Sequence, residues 1–575
     1  MSSPVFTGAV IGIDLGTTNC AIARSTGGPV EILAIPQLTG PGELREEPLF
    51  PSSLYLHGPR EFAEGATALP WDPAPPYILG EWAKRRGVEN ASRLVHSAKS
   101  WLSHAGVDRT APLLPLTAPE GVNRISPLDA STAYLSHLRH ALGDIGDSQV
   151  LITVPASFDA SARSLTEQAA QRAGFANFVL LEEPQAAFYA WLERHEDWRQ
   201  RVHAGDRILV IDIGGGTTDF TLIAAGETNG ELTLERVAVG EHILLGGDNL
   251  DLALARAVEQ ELAAKNTRLD AMQLHMLWQR CRAAKEKLLA PGAAQSEEAV
   301  TILGRGTGLI GGSIKATLRR ETLEQILLEG FLPPVGRDEQ PARARRAALA
   351  EVGLPYASDP RITAHLARFI QQAGAPTHIL FNGGVLHAPI VRRRIIETLN
   401  GWLDKPIQVL EGEDLMHAVA RGAAYYGLAR QGKGIRIRGG VARTYYIGIE
   451  SSMPAVPGMP SPMKALAVVP FGLEEGSSVE LPKQEFGLLT GEPAEFRFFS
   501  SVARREDKPG DVLDPIPPGV EELSPVEVSL PAASESVVRV TLAADVTATG
   551  VLELWCVAKD GNRWKLEFNV REQTQ

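Results

Sequence analysis

Residues 208–223 read ILVIDIGGGTTDFTLI, and this is the most informative run in the chain. Apolar residues lead into Asp212, three glycines and two threonines follow, and a second acid, Asp219, precedes another apolar run. The pattern predicts a buried strand, a glycine-rich turn and a returning strand. Consecutive glycines let backbone N–H groups approach a phosphate without a Cβ in the way. We expect Asp212 to face a metal ion or an attacking water, since Mg²⁺ prefers oxygen ligands.

The same design occurs again at residues 10–23, which read VIGIDLGTTNCAIA. Asp14 occupies the position of Asp212, and Gly16-Thr17-Thr18 takes the place of the glycine-threonine turn. Either run alone also fits an ordinary β-hairpin with a glycine-rich turn. Two runs with matched Asp and Thr positions indicate an internal duplication with a nucleotide clamped between the halves. The sequence contains no Gly-x-x-x-x-Gly-Lys-Ser/Thr motif, which excludes a P-loop protein.

Composition describes an ordinary globular protein of 575 residues, with 44% hydrophobic and 22% charged residues. A formal net charge of -13 argues against a general nucleic-acid surface. The three cysteines, Cys20, Cys281 and Cys556, are far apart and form no metal or disulfide pattern, which fits a reducing compartment. No basic residue precedes Arg24 and no apolar run is long enough to span a bilayer, so we expect a cytoplasmic protein without membrane contact.

Several segments between the two runs, and beyond them, have patterns that predict helices. Residues 87–102 predict a helix that carries Lys99 on its last turns, and Asp159 is predicted to cap another helix. Gly246 and Gly247 precede a helix over residues 250–265, where they form either an anion site or a plain helix-entry turn.

Three further segments complete the predicted layout of this part of the chain. Residues 306–311 match Gly-x-Gly-x-x-Gly, but residues 313–318 alternate like a strand, whereas the dinucleotide fingerprint requires a helix there. Residues 414–429 are rich in small side chains and predict a helix that packs tightly in a core. A basic cluster at Arg343, Arg345 and Arg346 is best explained as a solvated face.

The pattern of apolar and polar residues changes at Gln431. Short alternating runs separated by prolines and turns replace the helical patterns, which predicts an all-β sandwich. We therefore predict a multidomain protein, α/β followed by all-β, with a nucleotide-binding domain at residues 1–430, a linker at 431–440 and a β-sandwich at 441–575.

Taken together, the motifs closely resemble those of the 70-kDa heat-shock (Hsp70) chaperone family, in the order of that family and over nearly the whole chain. They are residues 13–19 (IDLGTTN), 154–158 (VPASF), 183–187 (EPQAA), 212–219 (DIGGGTTD), 246–251 (GGDNLD) and 382–384 (NGG). Actin-like proteins and sugar kinases share the hairpins, but not the Glu-Pro-x-Ala-Ala motif joined to a C-terminal sandwich.

The resemblance implies a duplicated actin-like ATPase domain that binds ATP or ADP with Mg²⁺, followed by a sandwich that binds unfolded polypeptide. It implies that Asp14, Asp212 and Asp219 hold the metal through waters, and that Lys99, Glu183, Asp212 and Thr217 are catalytic. The residues implied to bind the nucleotide are Gly16, Thr17, Thr18, Asn19, Gly214, Gly215, Gly216, Thr217, Gly246, Gly247, Arg282, Lys285, Gly383, Gly384 and His387. Phosphoryl transfer depends mainly on positioning and charge neutralisation, which such a set can supply.

Departures from the family pattern concern the nucleoside pocket, the linker and the chain end. The family's Glu, Lys and Ser on one helix are matched by Arg282, Lys285 and Leu289, and its base-stacking Arg by His387. We therefore expect intact phosphate chemistry and altered base recognition. The acidic, leucine-rich linker is replaced by the basic run GIRIRGG at residues 434–440, and the helical lid is expected to be missing.

The resemblance also implies partners: unfolded or extended polypeptide, a J-domain co-chaperone and a nucleotide exchange factor, with no nucleic acid and a monomeric state. The favoured hypothesis is an ATP-hydrolysing chaperone. The alternative is a nucleotide-dependent scaffold or regulatory binding protein with little or no hydrolysis.

Overall fold

The structure is a computed structural model that forms two compact units. It describes residues 8–104, 106–116, 118–228, 231–304, 312–342, 353–412, 414–431, 437–438, 443–450, 463–473, 477–479, 481, 484–491, 493–501, 504, 506–523, 526–529, 537–546 and 551–569. The first unit comprises Met1–Leu234 and Ala238–Arg436, and the second comprises Glu235–Val237 and Ile437–Gln575.

The strands up to residue 410 build the sheets of the first unit. They are β1 (Val10–Leu15), β2 (Asn19–Ser25), β3 (Glu31–Leu33), β4 (Ile35–Gly40), β5 (Glu43–Glu47), β6 (Phe50–Pro51), β7 (Leu54–Tyr55), β8 (Ile78–Leu79), β9 (Leu94–Val95), β10 (Gln149–Val154), β11 (Phe178–Glu182), β12 (Arg207–Ile213), β13 (Thr218–Thr228), β14 (Glu231–Val239), β15 (Glu297–Leu303), β16 (Ser313–Arg319), β17 (His378–Asn382) and β18 (Gln408–Leu410).

Helices connect and cover these strands. They are α1 (Gly80–Glu89), α2 (Ala98–Leu102), α3 (Pro127–Ala141), α4 (Ala160–Arg172), α5 (Glu183–Arg194), α6 (Trp198–Arg201), α7 (Gly247–Ala264), α8 (Ala271–Leu289), α9 (Arg320–Gln325), α10 (Ile362–Ala373), α11 (Pro389–Asn400) and α12 (Ala418–Arg430). Two short 3₁₀ segments (Ala91–Arg93, Gly384–His387) and one π-helical segment (Ile326–Phe331) complete the set.

Two sheets of the first unit repeat one topology. One has the order β11-β10-β1-β2-β3, and the other contains the order β18-β17-β12-β13-β14. In each sheet an antiparallel hairpin (β1/β2 or β12/β13) is extended on one side by two parallel strands. The two hairpins predicted around Asp14 and Asp212 are confirmed, and they occupy equivalent places in the two sheets.

Helix α12 packs closely against the first of these sheets and against α5. A Cβ built on Gly12 of β1 would lie 2.3 Å from the Ala420 carbonyl oxygen, and one built on Gly422 would lie 1.7 Å from that of Ala186. Backbone therefore meets backbone at both places, where only glycine fits. The prediction of a tightly packed small-residue helix is confirmed, although α12 begins at Ala418 rather than at residue 414.

The second unit is built from strands. They are β19 (Ile437–Arg438), β20 (Thr444–Glu450), β21 (Met463–Val469), β22 (Ser477–Val479), β23 (Phe486–Leu489), β24 (Pro493–Phe496), β25 (Phe498–Ser501), β26 (Val512–Leu513), β27 (Glu521–Glu522), β28 (Val526–Ser529), β29 (Val537–Val546), β30 (Val551–Ala558) and β31 (Arg563–Asn569).

Two five-stranded sheets dominate this unit. One has the order β26-β21-β20-β25-β27, and the other has the order β22-β29-β30-β31 with β23 also paired to β29. Buried residues from both sheets, including Ile447, Leu466, Leu554 and Leu566, belong to one hydrophobic cluster. The two sheets therefore share a core.

Sequence-based predictions of individual elements had mixed outcomes. The helix predicted over residues 87–102 is wrong, because α1 ends at Glu89 and is followed by a 3₁₀ turn, β9 and the separate helix α2. The strand expected at residues 313–318 is confirmed as β16, whereas residues 306–311 and Arg343, Arg345 and Arg346 lie outside the described residues.

Much of the predicted linker also lies outside the described residues, including Ile435. Of the linker, Gln431 and β19 are described, and β19 belongs to the second unit.

Two further observations concern membrane-spanning helices and the state of the cysteines. Across the part of the chain that the structure describes, no helix is both long and apolar enough to cross a membrane. Cys20, Cys281 and Cys556 are buried free thiols.

Candidate functional site

A cavity of about 410 Å³ lies in the first unit, and both repeated hairpin turns contribute to its wall. From the predicted set, the wall includes Asp14, Gly16, Thr17, Thr18, Asn19, Lys99, Glu183, Asp212, Gly214, Gly215, Thr217, Gly247, Arg282, Lys285, Leu289, Gly383, Gly384 and His387. Gly216, Asp219 and Gly246 lie outside the wall. The structure brings most of the predicted residues to one place, while their individual roles stay predictions.

The two hairpin turns face each other at van der Waals distance. A Cβ built on Gly215 would lie 2.0 Å from Oγ1 of Thr18, and one on Gly216 would lie 3.1 Å from Cγ2 of Thr17 and 2.9 Å from Oγ of Ser100. A side chain on the second turn would therefore collide with the first turn. This contact explains the glycines at positions 215 and 216.

Ser52 holds the first turn from outside, and no sequence motif pointed to it. Its hydroxyl donates a 2.6 Å hydrogen bond to the Gly16 carbonyl, and its backbone N–H donates to the Thr18 carbonyl at 2.8 Å. Ser52 thereby fixes the backbone of the turn that lines the cavity.

Lys99 is presented by the short helix α2 rather than by a long helix. Ser97, immediately before α2, is buried in the left-handed region with φ of 54°, which is uncommon for a residue with a Cβ. The Lys99 side chain is buried, and its ammonium donates a hydrogen bond to Oε1 of Glu183, at the start of α5. Burial alone would lower the pKa of Lys99, but the Glu183 and Asp14 carboxylates raise it, so the lysine is charged.

Asp14 and Asp212 lie at equivalent strand ends, and each has a neutral partner on the adjacent parallel strand. Thr153 of β10 donates to Oδ1 of Asp14 at 3.3 Å, and Asn382 of β17 donates to Oδ2 of Asp212 at 2.6 Å. Burial, followed by the charge of Glu183, raises the pKa of Asp14 to about 7. Burial, with the charges of Glu183 and Asp219, raises the pKa of Asp212 well above its usual range.

Burial is the main cause of the raised pKa values of Asp14 and Asp212, and neighbouring carboxylates add to it. A divalent cation would favour the ionised carboxylates, so Asp14, Glu183 and Asp212 fit the implied Mg²⁺. Among the described residues, no three His, Cys, Asp or Glu side chains are close enough to hold a metal ion directly.

Asp219 is buried beside the cavity wall and is held by hydroxyl groups. Ser157 donates a hydrogen bond to its Oδ1, and the Thr217 side chain also hydrogen-bonds to it. Burial raises the pKa of Asp219 to about 6, although these hydrogen bonds oppose the shift. Ser157 belongs to a quoted motif, but its hydroxyl was not among the residues predicted for the site.

The entry to helix α7 has its backbone donors already occupied. The Gly247 N–H donates to the Gly214 carbonyl at 3.0 Å, and the Asp248 N–H donates to the Gly215 carbonyl at 2.7 Å. The Gly246 N–H donates to Oδ1 of Asn249 at 2.9 Å. These contacts favour the plain helix-entry turn over an anion site at Gly246 and Gly247, and they brace the glycine turn of the second hairpin.

Arg282 and Lys285 of α8 form ion pairs with buried carboxylates of α7. Arg282 contacts Asp248 through its Nη2 and Asp251 through its Nε at 2.9 Å, and Lys285 contacts Asp251 at 2.7 Å. The Ser97 hydroxyl donates to the other oxygen of Asp248 at 3.0 Å. The cations on this wall are therefore largely neutralised, and apolar Leu289 lies on the wall beside them.

The turn after β17 also lies against the acids of the site. Gly383 has φ of 94°, and a Cβ built on it would lie 2.4 Å from Oδ1 of Asp212. Glycine is therefore required at this position, and the turn carries Gly384 and His387 onto the cavity wall.

Comparison with known proteins matches this chain to a family model and to several curated relatives. A family model described as Hsp70 protein matches residues 76–342. Over this stretch the chain is similar to the Hsp70 family. The matched residues include Lys99, Glu183, Asp212 and the entry to α7.

The curated relatives that this chain resembles are named chaperone protein HscA homologs. The protein from Pseudomonas fluorescens is 31% identical over 323 residues, which cover 55% of this chain and 46% of the relative. The protein from Bordetella pertussis is 30% identical over 399 residues, covering 67% and 53% respectively. The protein from Cupriavidus necator is 30% identical over 334 residues, covering 56% and 48%. The chain spans about half the length of the curated relatives it matches.

Proposed function

We propose that the first unit binds ATP with Mg²⁺ in the cavity and hydrolyses it, as an actin-like ATPase domain. The observation that carries this proposal is the meeting of two equivalent Asp-Gly-Thr turns with a buried Lys99–Glu183 pair on one cavity wall. Hydrolysis of a triphosphate needs charge neutralisation on one side and an oriented water on the other. The site offers an ammonium and three carboxylates together.

Each part of the wall has a proposed task. The hydroxyls of Thr17, Thr18 and Thr217 and the turn backbones bind the phosphates, and Lys99 neutralises charge on the terminal phosphate and its attacking water. Glu183, fixed by Lys99, orients that water. Asp14 and Asp212 hold the hydrated Mg²⁺, which when bound neutralises phosphate charge.

We further propose that the second unit is a β-sandwich that binds unfolded polypeptide, and that nucleotide in the first unit changes this binding. The support is the shared core of its two five-stranded sheets and the similarity of the chain to the Hsp70 family and to relatives named as chaperones. This similarity also motivates a J-domain co-chaperone and a nucleotide exchange factor as proposed partners.

Single-turnover hydrolysis of ATP by the purified full chain, with and without an unfolded peptide, tests the proposal. We expect slow basal hydrolysis that the peptide changes, and different affinities for a fluorescent peptide in ATP and in ADP. Such coupling is typically about 1–3 kcal/mol. Nucleotide binding without hydrolysis would support the scaffold alternative, and equal peptide affinities in ATP and ADP would contradict the chaperone cycle.

A further inference from the structure

His242 lies at the centre of a chain of hydrogen bonds that ends on Asp219. Its Nδ1 lies 2.6 Å from Oγ of Ser157, the hydroxyl that contacts the Asp219 carboxylate. Its Nε2 lies 3.0 Å from Oγ of Ser103. The edge of the Phe158 ring packs against the imidazole, with ring centroids 5.8 Å apart at 73°. Both ring nitrogens are thus engaged and the ring plane is fixed.

The directions of these hydrogen bonds follow from the donors available. An ionised Asp219 only accepts, so the single hydroxyl hydrogen of Ser157 is donated to Asp219. The Ser157 oxygen then accepts from Nδ1–H of His242. Burial lowers the pKa of His242 to about 4, so the ring is neutral and Nε2 carries no proton. The Ser103 hydroxyl has one hydrogen, which it can donate to Nε2 or to the Ser100 carbonyl 2.9 Å away.

We propose that His242 is a positioning residue that, through Ser157, fixes the orientation of the Asp219 carboxylate beside the cavity. The role rests on the proposed ATP hydrolysis, because it concerns the alignment of the acids around the attacking water. Asp219 does not line the cavity, but the charge of its carboxylate acts on Asp212, which does. Without the donor from His242, the Ser157 hydroxyl is free to rotate away from Asp219.

Paired substitutions separate this role from simple packing. His242→Asn places an amide N–H near the position of Nδ1, whereas His242→Gln places it near Nε2. We expect His242→Ala and His242→Gln to lower kcat by roughly tenfold with KM for ATP within about twofold, and His242→Asn to recover most of the rate. His203→Ala, whose side chain is 69% exposed, is the matched control and should behave as wild type.

Nitrogen-15 NMR of histidine-labelled full chain at about pH 8 gives a readout independent of hydrolysis. We expect His242 to show the Nδ1–H tautomer, and Ser157→Ala to move it to the Nε2–H tautomer. An unchanged tautomer in Ser157→Ala, or equal rates for His242→Asn and His242→Gln, would overturn the inference. Absence of hydrolysis by the wild type would instead overturn the proposed function, so the two failures are distinguishable.

Discussion

Asp212 and Asn382 are partners on the parallel strands β12 and β17, and Nδ2 of Asn382 donates a 2.6 Å hydrogen bond to Oδ2 of Asp212. Both side chains are buried. The amide fixes one carboxylate oxygen without adding a charge that would compete with a cation.

Replacing Asp212 tests the proposed metal site. In Asp212→Asn the new side chain can still accept from Asn382 through its carbonyl oxygen, so we expect folding and nucleotide binding to persist. Hydrolysis should fall by at least about 100-fold, since one carboxylate is lost from the metal shell. Single-turnover kinetics and calorimetric titration measure the two properties separately. If Asp212→Asn hydrolyses ATP at the wild-type rate, Asp212 is not part of the metal site.

The Lys99–Glu183 pair predicts a large effect on stability as well as on hydrolysis. Lys99→Met leaves the Glu183 carboxylate buried without its cation, which we expect to cost roughly 3–5 kcal/mol in the free energy of unfolding. The double variant Lys99→Met with Glu183→Gln removes both charges and should recover most of that stability while remaining inactive. Denaturant titration of the three proteins measures this. A double variant as unstable as the single one would indicate that packing, not charge, is responsible.

The raised pKa of Asp14 predicts a pH dependence of stability in the absence of metal and nucleotide. An acid that binds its proton more tightly when folded stabilises the fold fully below its ordinary pKa of 3.8, and this contribution is lost as the pH rises to about 7. We expect the melting temperature in EDTA to fall between about pH 5 and pH 8, and Asp14→Asn to flatten this fall.

Asp108→Asn is the control for that measurement, because Asp108 is exposed and hydrogen bonds to Thr110 lower its pKa. A slope in Asp14→Asn as steep as in the wild type would assign the pH dependence to other groups.

The neutralised cations of α8, together with Leu289 and His387, predict loose base recognition. Calorimetric titration should show ATP and GTP binding within roughly tenfold of each other. His387→Arg adds a charged stacking partner and should strengthen binding by on the order of 0.5–2 kcal/mol. Triphosphate without a base is the control and should bind both proteins equally. A strong preference for adenine that His387→Ala barely reduces would show that other residues recognise the base.

The hairpins were predictable from sequence because each is local: an apolar run, an acid, a glycine turn and a second apolar run lie within one short segment. The arrangement of Asp14 and Asp212 followed from the repeat. Other residues of the cavity wall, such as Lys99, Arg282 and His387, were predicted from the resemblance to a known family and not from a local pattern.

Other parts of the site depend on contacts between distant segments. Helical periodicity before Lys99 gave no sign of the break over residues 90–97. The break ends at Ser97, whose left-handed conformation is accompanied by a hydrogen bond to Asp248. The occupied N–H groups of Gly247 and Asp248 depend on the carbonyls of another turn. His242 and Ser157 are 85 positions apart, and no local pattern connects them.

The close fit of Gly12 against α12 has a consequence for the synthesis of the chain. The glycine of β1 meets the Ala420 carbonyl, so the strand made first is completed by the helix made last in this unit. At roughly 5–20 residues per second, the nascent hairpin waits tens of seconds on the ribosome with that face uncovered. Strand β1 therefore cannot complete its packing until helix α12 has left the ribosome.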